Sequence, residues 1–184
     1  ITVNISSPNT EGLRDFHEQE KLKNLLLALN KIKKENKTDI SLLLKVSPDI
    51  EDNHISEIVD VATNNDIAAI ILTNTTNGNR DNLRSEIKKE KGGLSGKPLQ
   101  EISTNMIKKF YKQLNGKIPI IGVGGVDSGK SAYEKITAGA SLLQLYTGFI
   151  YKGPSVVKDI KKGLIQILKA EGLNNIKEAI GKGA

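Results

Sequence analysis

The sequence of 184 residues contains no cysteine and no tryptophan, and only 4% of its residues are aromatic. Without cysteine it can form neither a disulfide-stapled domain nor a Cys-ligated zinc or iron–sulfur site. Its longest uninterrupted apolar stretch, residues 67–72, is far shorter than the ~20 residues that a membrane-spanning helix needs. The first five residues lack the basic and apolar regions of a secretory signal. The apolar content of 38% nevertheless excludes a disordered tail.

Positive charge is in modest excess, with 27 Lys and Arg against 21 Asp and Glu and a net charge of +6. Such an excess is compatible with a nucleic-acid partner. Only Arg14, Arg80 and Arg84 are arginines, however, and both bidentate phosphate recognition and base stacking favour arginine and aromatic side chains. We therefore predict a solvated, lysine-rich surface and no nucleic-acid partner.

Short apolar runs alternate with segments of helical periodicity. The runs are continuous, as expected of parallel strands that are buried on both faces. The predicted strands are Thr2–Ile5, Ser41–Val46, Ala68–Thr73, Pro119–Val123 and Leu142–Tyr146. Apolar stripes of helical period begin at Leu22, Ile55, Ile102 and Val156, and a further helix is predicted from Asp127-Ser128 to Ala138-Gly139.

This alternation predicts an α/β protein with a parallel sheet, either open and doubly wound or closed as a (β/α)8 TIM barrel. Polar clusters follow the carboxyl ends of all five strands, which favours a barrel because its loops converge around one mouth. Five units in 184 residues come to about 35 residues each, whereas eight need roughly 250. We expect residues 1–184 to supply about the last five βα units of a single barrel domain, with about three units upstream in a longer polypeptide.

The polar clusters each have a structural and a functional interpretation. Lys45, at the end of an apolar strand, either extends to solvent or supports negative charge on a cofactor. Residues 4–10 and 73–76 are either turn formers or hydrogen-bonding groups for a small polar ring. The glycines of residues 92–96 allow a close approach to a ligand or simply mark a flexible loop. His17 and His54, which have no metal-ligand spacing, are predicted to be solvated.

A nucleotide-binding motif is the main alternative. Gly124, Gly129, Lys130 and Ser131 satisfy the pattern G-x-x-x-x-G-K-[ST] after a strand and before a helix, which would make the chain a P-loop nucleotide hydrolase. None of the other apolar strands ends in an aspartate that could complete a magnesium site. The amides of Gly124 and Gly125 could instead bind a phosphate at the mouth of a barrel.

Six blocks taken together resemble the C-terminal part of class 2 dihydroorotate dehydrogenase. They occur in that family's order along essentially the whole chain, and residues 178–181 also resemble the end of its eukaryotic members. The blocks are residues 4–10 (NISSPNT), 44–49 (LKVSPD), 73–76 (TNTT), 92–99 (GGLSGKPL), 119–126 (PIIGVGGV) and 145–148 (LYTG). The resemblance places residues 129–131 at the start of the helix that follows the glycine motif, where the sequences of this family vary.

The resemblance implies a barrel that binds FMN, oxidises dihydroorotate to orotate in pyrimidine biosynthesis and passes the electrons to a quinone. It implies that Ser7 is the catalytic base, where class 1 enzymes have a cysteine, and it implies no metal site. The implied substrate-binding residues are Asn4, Asn9, Asn74 and Thr75. The implied FMN-binding residues are Asn4, Lys45, Thr73, Ser95, Gly96, Gly124, Gly125, Tyr146 and Thr147.

The family's N-terminal strands and membrane-facing helices have no counterpart in these residues. The resemblance implies peripheral contact with the inner membrane through that N-terminal region, in mitochondria for a eukaryote and on the cytoplasmic face for a bacterium. The chain alone is expected to be inactive. A non-enzymatic interpretation is a half-barrel whose exposed strand edges pair with another chain.

Overall fold

The computed structural model describes residues 1–78 and 80–184, and at Ile87 it describes the backbone only. Five strands form one parallel sheet, and helices connect them. The strands are β1 Thr2–Asn4, β2 Leu42–Val46, β3 Ile67–Leu72, β4 Ile120–Val123 and β5 Ala140–Gln144. The helices are α1 Gln19–Glu35, α2 Asp52–Asn64, α3 Gln100–Leu114, α4 Gly129–Thr137, α5 Thr147–Lys152 and α6 Ser155–Ala170. Short 3-10 helices lie at Leu13–His17, Glu86–Lys89, Lys97–Leu99 and Ile176–Ala179.

The strands pair in the order in which they occur along the chain, from β1 to β5. A doubly wound sheet reverses its strand order at a switch point, and a barrel does not. The sequential order therefore supports the barrel prediction over the open sheet. It also brings the carboxyl ends of all five strands, and the loops that follow them, to one edge of the sheet.

The two faces of the sheet are both apolar. The main core lies between the sheet and the helices, and it includes Leu44 and Ile70 from the strands and Phe110 from α3. A smaller cluster on the inner face contains Ala69, Ile71 and Ile121. Both faces bury apolar side chains, which is why the strands read as continuous apolar runs rather than as alternating ones.

The last strand begins earlier than predicted. The sequence predicted Leu142–Tyr146, but β5 starts at Ala140 because its backbone pairs with Ile120 of β4 directly after the helix-ending Gly139. The polar residues after this strand then begin α5, a short helix that the sequence did not predict. The other four strands agree with prediction to within one residue at each end.

A fully buried lysine joins two of the outer helices. Lys135 of α4 is 0% exposed, and its Nζ donates to the carbonyl oxygen of Gln100 at 2.8 Å and to Oγ1 of Thr104 at 2.7 Å. Both acceptors belong to α3. Burial lowers the pKa of Lys135 to about 7 because the interior disfavours the charged form.

Lys135 is expected to make stability depend on pH. Its pKa is lower in the folded state than in the unfolded chain, so the unfolded state binds the proton more tightly between about pH 7 and pH 10. Stability should therefore rise with pH in this window, by up to about 1.4 kcal/mol per pH unit. Lys135→Met should flatten this rise in urea unfolding measured at several pH values. Lys130→Met, an exposed change on the same helix, is the control, and equal slopes in both variants would refute the prediction.

Candidate active site

The residues of the nucleotide-binding pattern serve the start of α4. Ser128 and Ser131 form a reciprocal capping box, in which Ser131 Oγ accepts from the backbone nitrogens of Asp127 and Ser128 at 2.9 and 3.0 Å. Ser131 is buried and Lys130 is exposed. The hydroxyl that a P-loop enzyme would use for magnesium is thus engaged in capping the helix.

Gly129 is required by helix packing. A Cβ atom on Gly129 would lie 2.6 Å from the Cα of Gly163, where α4 crosses α6. The two helices approach each other so closely because both residues lack a side chain. The Gly-Lys-Ser sequence is therefore explained by a helix cap and a helix crossing.

Most of the predicted FMN-binding and substrate-binding residues line one cavity of about 420 Å³ at the carboxyl edge of β2 to β5. The sequence-predicted residues on its wall are Lys45, Thr73, Asn74, Thr75, Ser95, Gly96, Gly124, Gly125, Tyr146 and Thr147. A larger hollow of about 810 Å³ lies at the opposite edge of the sheet, near Lys33 and Asp66. We place the site in the smaller cavity because hydroxyls, glycines and a cation from four strand ends converge there.

Lys45 is the positive charge of this cavity. It lies on the inner face of β2, in register with Ile71 of β3, and is half-buried. Burial lowers the pKa of Lys45. Among the described residues no carboxylate forms an ion pair with it, so its charge faces the cavity uncompensated.

Glycines let the loops after β3, β4 and β5 approach one another. Gly96 has a φ of +74°, and a Cβ on it would lie 2.9 Å from Cγ2 of Thr147. Gly125 has a φ of +72°, and a Cβ there would lie 2.4 Å from Cβ of Gln100. The hydroxyls of Ser95 and Thr147 are 2.8 Å apart as a result.

An amide cluster joins the loops after β1 and β3. Asn74 Nδ2 donates to Ser6 Oγ at 3.0 Å and to Asn4 Oδ1 at 3.3 Å, and Asn4 Oδ1 also accepts from the Ser6 hydroxyl at 2.7 Å. Asn74 Oδ1 in turn accepts from the backbone nitrogen of Thr75 at 2.8 Å. Ser6 is fully buried; the sequence analysis counted it among the hydrogen-bonding groups of residues 4–10 but assigned it no individual role, because serine is common in turns.

Ser7 follows this cluster by one residue and does not itself line the 420 Å³ cavity. Its Oγ accepts from the backbone nitrogen of Asn9 at 3.3 Å and from the hydroxyl of Thr10 at 3.4 Å. Asn9 instead lines another cavity of about 660 Å³ with Pro8 and Gly92, which shares no lining residue with the first. Thr10 is a second residue that sequence reasoning did not assign, although it lies within the same motif.

The prediction that both histidines are solvated is wrong for His17. His17 is only 5% exposed, because the 3-10 helix Leu13–His17 turns it against the loop after β2. Nδ1 lies 2.7 Å from the carbonyl oxygen of Arg14, and Nε2 accepts from the backbone nitrogen of Ser47 at 3.3 Å. Burial lowers the pKa of His17. His54 is half-buried at the start of α2.

Comparison with known proteins identifies the family. Residues 1–168 match the family model described as dihydroorotate dehydrogenase. The chain belongs to the dihydroorotate dehydrogenase family. It is 45% identical over 98% of its length to a dihydroorotate dehydrogenase (quinone) of Trichodesmium erythraeum, and 48% identical over 98% to one of Nautilia profundicola.

The comparison also confirms the fold class. The crystal structure of the family member from Eimeria tenella in complex with ferulenol superposes with a TM-score of 0.93 at 37% identity, and the match covers 98% of this chain and 53% of that one. The five-stranded parallel sheet thus corresponds to about half of the family's TIM barrel. The chain spans about half the length of the curated relatives it matches: 49% of the Trichodesmium protein and 48% of the Nautilia protein. The P-loop interpretation finds no support.

The packing account of Gly129 predicts the effect of a single methyl group. Gly129→Ala should destabilise the protein by about 1–3 kcal/mol, because the added Cβ overlaps Gly163. Lys130→Ala should change stability by less than about 0.5 kcal/mol, since its side chain is exposed. Urea unfolding measures both. Unchanged stability of Gly129→Ala would contradict the packing account, and protection of the parent protein by magnesium-ATP that Lys130→Ala abolishes would support the P-loop interpretation instead.

Proposed function

We propose that this chain contributes the FMN and substrate sites of a quinone-dependent dihydroorotate dehydrogenase, which oxidises dihydroorotate to orotate in pyrimidine biosynthesis. Family membership and the names of the quinone-dependent relatives support this activity. The observation that carries it is the convergence of Lys45, Ser95, Thr147 and the glycine loop in one cavity beside the Asn4–Asn74 cluster.

The chemistry of the cavity fits FMN. A half-buried ammonium group without an ion-pair partner among the described residues suits a ring that becomes negatively charged, and Gly124 and Gly125 suit a phosphate that must approach the backbone closely. We assign Lys45, Thr73 and Asn4 to the ring, and Ser95 with Gly96 to further flavin contacts. The phosphate and ribityl end is assigned to Gly124, Gly125, Tyr146 and Thr147.

FMN, when bound, supplies the acceptor for the hydride that leaves C6 of dihydroorotate. Lys45 provides a fixed positive charge at the place where negative charge develops, and its partial burial strengthens that interaction. The amides of Asn4, Asn9 and Asn74, with the hydroxyl of Thr75, offer donors and acceptors for the carboxylate and ring of the substrate.

Ser7 takes the proton that leaves C5 of the substrate. A serine hydroxyl is a weak base, so its own proton must pass onward as it accepts another. Ser7 Oγ accepts from the hydroxyl of Thr10 at 3.4 Å, so this hydroxyl would have to rotate before it could receive the proton of Ser7.

Residues 1–184 form, in this proposal, the C-terminal part of a single FMN-binding barrel domain, which is inactive without the N-terminal strands. A quinone accepts the electrons. The family's N-terminal helices make the peripheral membrane contact, at the mitochondrial inner membrane or at the cytoplasmic face of a bacterial inner membrane. In the described part of the chain, the structure contains no helix with the length and apolar character to cross a bilayer.

Ser7→Ala tests the assignment of the base. In the protein that carries this chain, anaerobic dihydroorotate should bleach the yellow FMN absorbance, and quinone should restore it. Ser7→Ala should slow the bleaching about 100-fold or more with FMN content unchanged, since only the proton acceptor is lost. Ser56→Ala, an exposed change in α2, is the control. Loss of FMN from Ser7→Ala, or bleaching at the parent rate, would contradict the assignment.

Lys45→Met tests the electrostatic role. The variant keeps most of the length of the side chain and removes its charge, so we expect weaker FMN binding or a bleaching rate lowered about 10-fold or more. Lys130→Met, which removes an exposed charge that does not line the cavity, should behave as the parent does. Stopped-flow absorbance and FMN titration provide both readouts. Parent-like values for Lys45→Met in both would remove its proposed role.

A further inference from the structure

One carboxylate connects three of the loops at the carboxyl edge of the sheet. Asp49 lies in the loop after β2, and its Oδ2 accepts from Nη2 of Arg14 at 3.0 Å and from the backbone nitrogen of Asn77 at 2.9 Å. Its Oδ1 accepts from the hydroxyl of Thr76. Arg14 belongs to the loop after β1, and Thr76 and Asn77 belong to the loop after β3.

Asp49 is itself held in place. Its backbone nitrogen donates to Oγ of Ser47 at 3.2 Å, and its side chain is only 22% exposed. Hydrogen bonds to an ionised carboxylate are roughly twice as strong as those between neutral groups. Three such bonds to one partly buried side chain fix the relative positions of the loops more firmly than an exposed surface ion pair does.

His17 makes a second connection between the first two of these loops. A carbonyl oxygen can only accept and a backbone N–H can only donate, so Nδ1 carries the proton that goes to the Arg14 carbonyl, and Nε2 is the acceptor for Ser47. Arg14 is therefore held through its backbone by His17 and through its guanidinium by Asp49.

These contacts hold the two ends of the segment that carries Ser7. On one side of Ser7 the chain is anchored at Ser6, whose hydroxyl accepts from Asn74 at 3.0 Å. On the other side it is anchored at Arg14, through Asp49. The same carboxylate holds Thr76, two residues after Asn74. The loop with the proposed base and the segment with a substrate amide thus share one anchor.

We propose that Asp49 is a positioning residue for proton transfer, which keeps Ser7 aligned with the substrate held at Asn74. The proposal rests on the proposed function. A base as weak as serine depends on alignment, and a displacement of about 1 Å can lower a rate about 100-fold. Asp49 itself does not line the cavity among the described residues, so it acts through Arg14 and Thr76.

Asp49→Asn in the FMN-loaded protein tests this role. Asparagine keeps the size of the side chain and one acceptor oxygen, but it loses the charge that binds Arg14. We expect reduction of the flavin by dihydroorotate to slow about 10- to 100-fold. FMN content and the rate of reoxidation by quinone should stay at the parent values, because neither depends on the alignment of Ser7.

A double-variant cycle with Arg14→Met separates the pair from its surroundings. If Asp49 acts through Arg14, the combined variant should be no slower than Asp49→Asn alone, which already includes any effect through Thr76. Asp66→Asn is the matched control. Asp66 forms an ion pair with Lys33 at the same N–O distance of 3.0 Å, but at the opposite edge of the sheet, and its loss should leave flavin reduction unchanged.

Parent-like flavin reduction in Asp49→Asn would overturn the proposal, as would an equal loss in both half-reactions and in FMN content, which indicates a general folding defect. Fully additive effects of the Asp49 and Arg14 changes would also overturn it. A parent protein that dihydroorotate does not bleach would instead contradict the proposed function, before any variant is compared.

Discussion

The site depends on the sequential parallel pairing of five strands. Each βα unit returns the chain in the same direction, so every strand ends at the same edge and contributes its following loop to that edge. Residues as far apart in the sequence as Lys45 and Thr147 come to line one cavity for this reason. The apolar side chains on both faces of β3 and β4 keep the scaffold rigid, and the loops carry the polar chemistry.

Two kinds of polar interaction build on this scaffold. Lys45 remains without an ion-pair partner among the described residues, and its charge is therefore available to a ligand. Asp49, in the loop that follows the same strand, directs both of its carboxylate oxygens at neighbouring loops. Lys45, whose charge is available to a ligand, thus lies only four residues before Asp49, whose charge holds the neighbouring loops in place.

The sequence predicted the elements and motifs better than the contacts between them. Continuous apolar runs located β1 to β4 because burial on both faces leaves a direct trace in the residue types. The start of β5 was missed because it depends on pairing with Ile120, which is a tertiary constraint. The buried state of His17 and Lys135 could not be predicted, since both lie in polar or amphipathic segments and their partners are distant in the sequence. The pattern at Gly129 was misleading because a helix cap and a helix crossing require the same small and hydroxyl residues as a phosphate loop.

A structure of the protein with FMN and orotate bound is the most direct test of the central claim that these loops enclose one flavin site. The account predicts that the flavin ring lies beside Lys45, that its phosphate contacts the backbone of Gly124 and Gly125, and that orotate contacts Asn74. A flavin bound elsewhere on the protein, with this cavity filled by solvent, would contradict it.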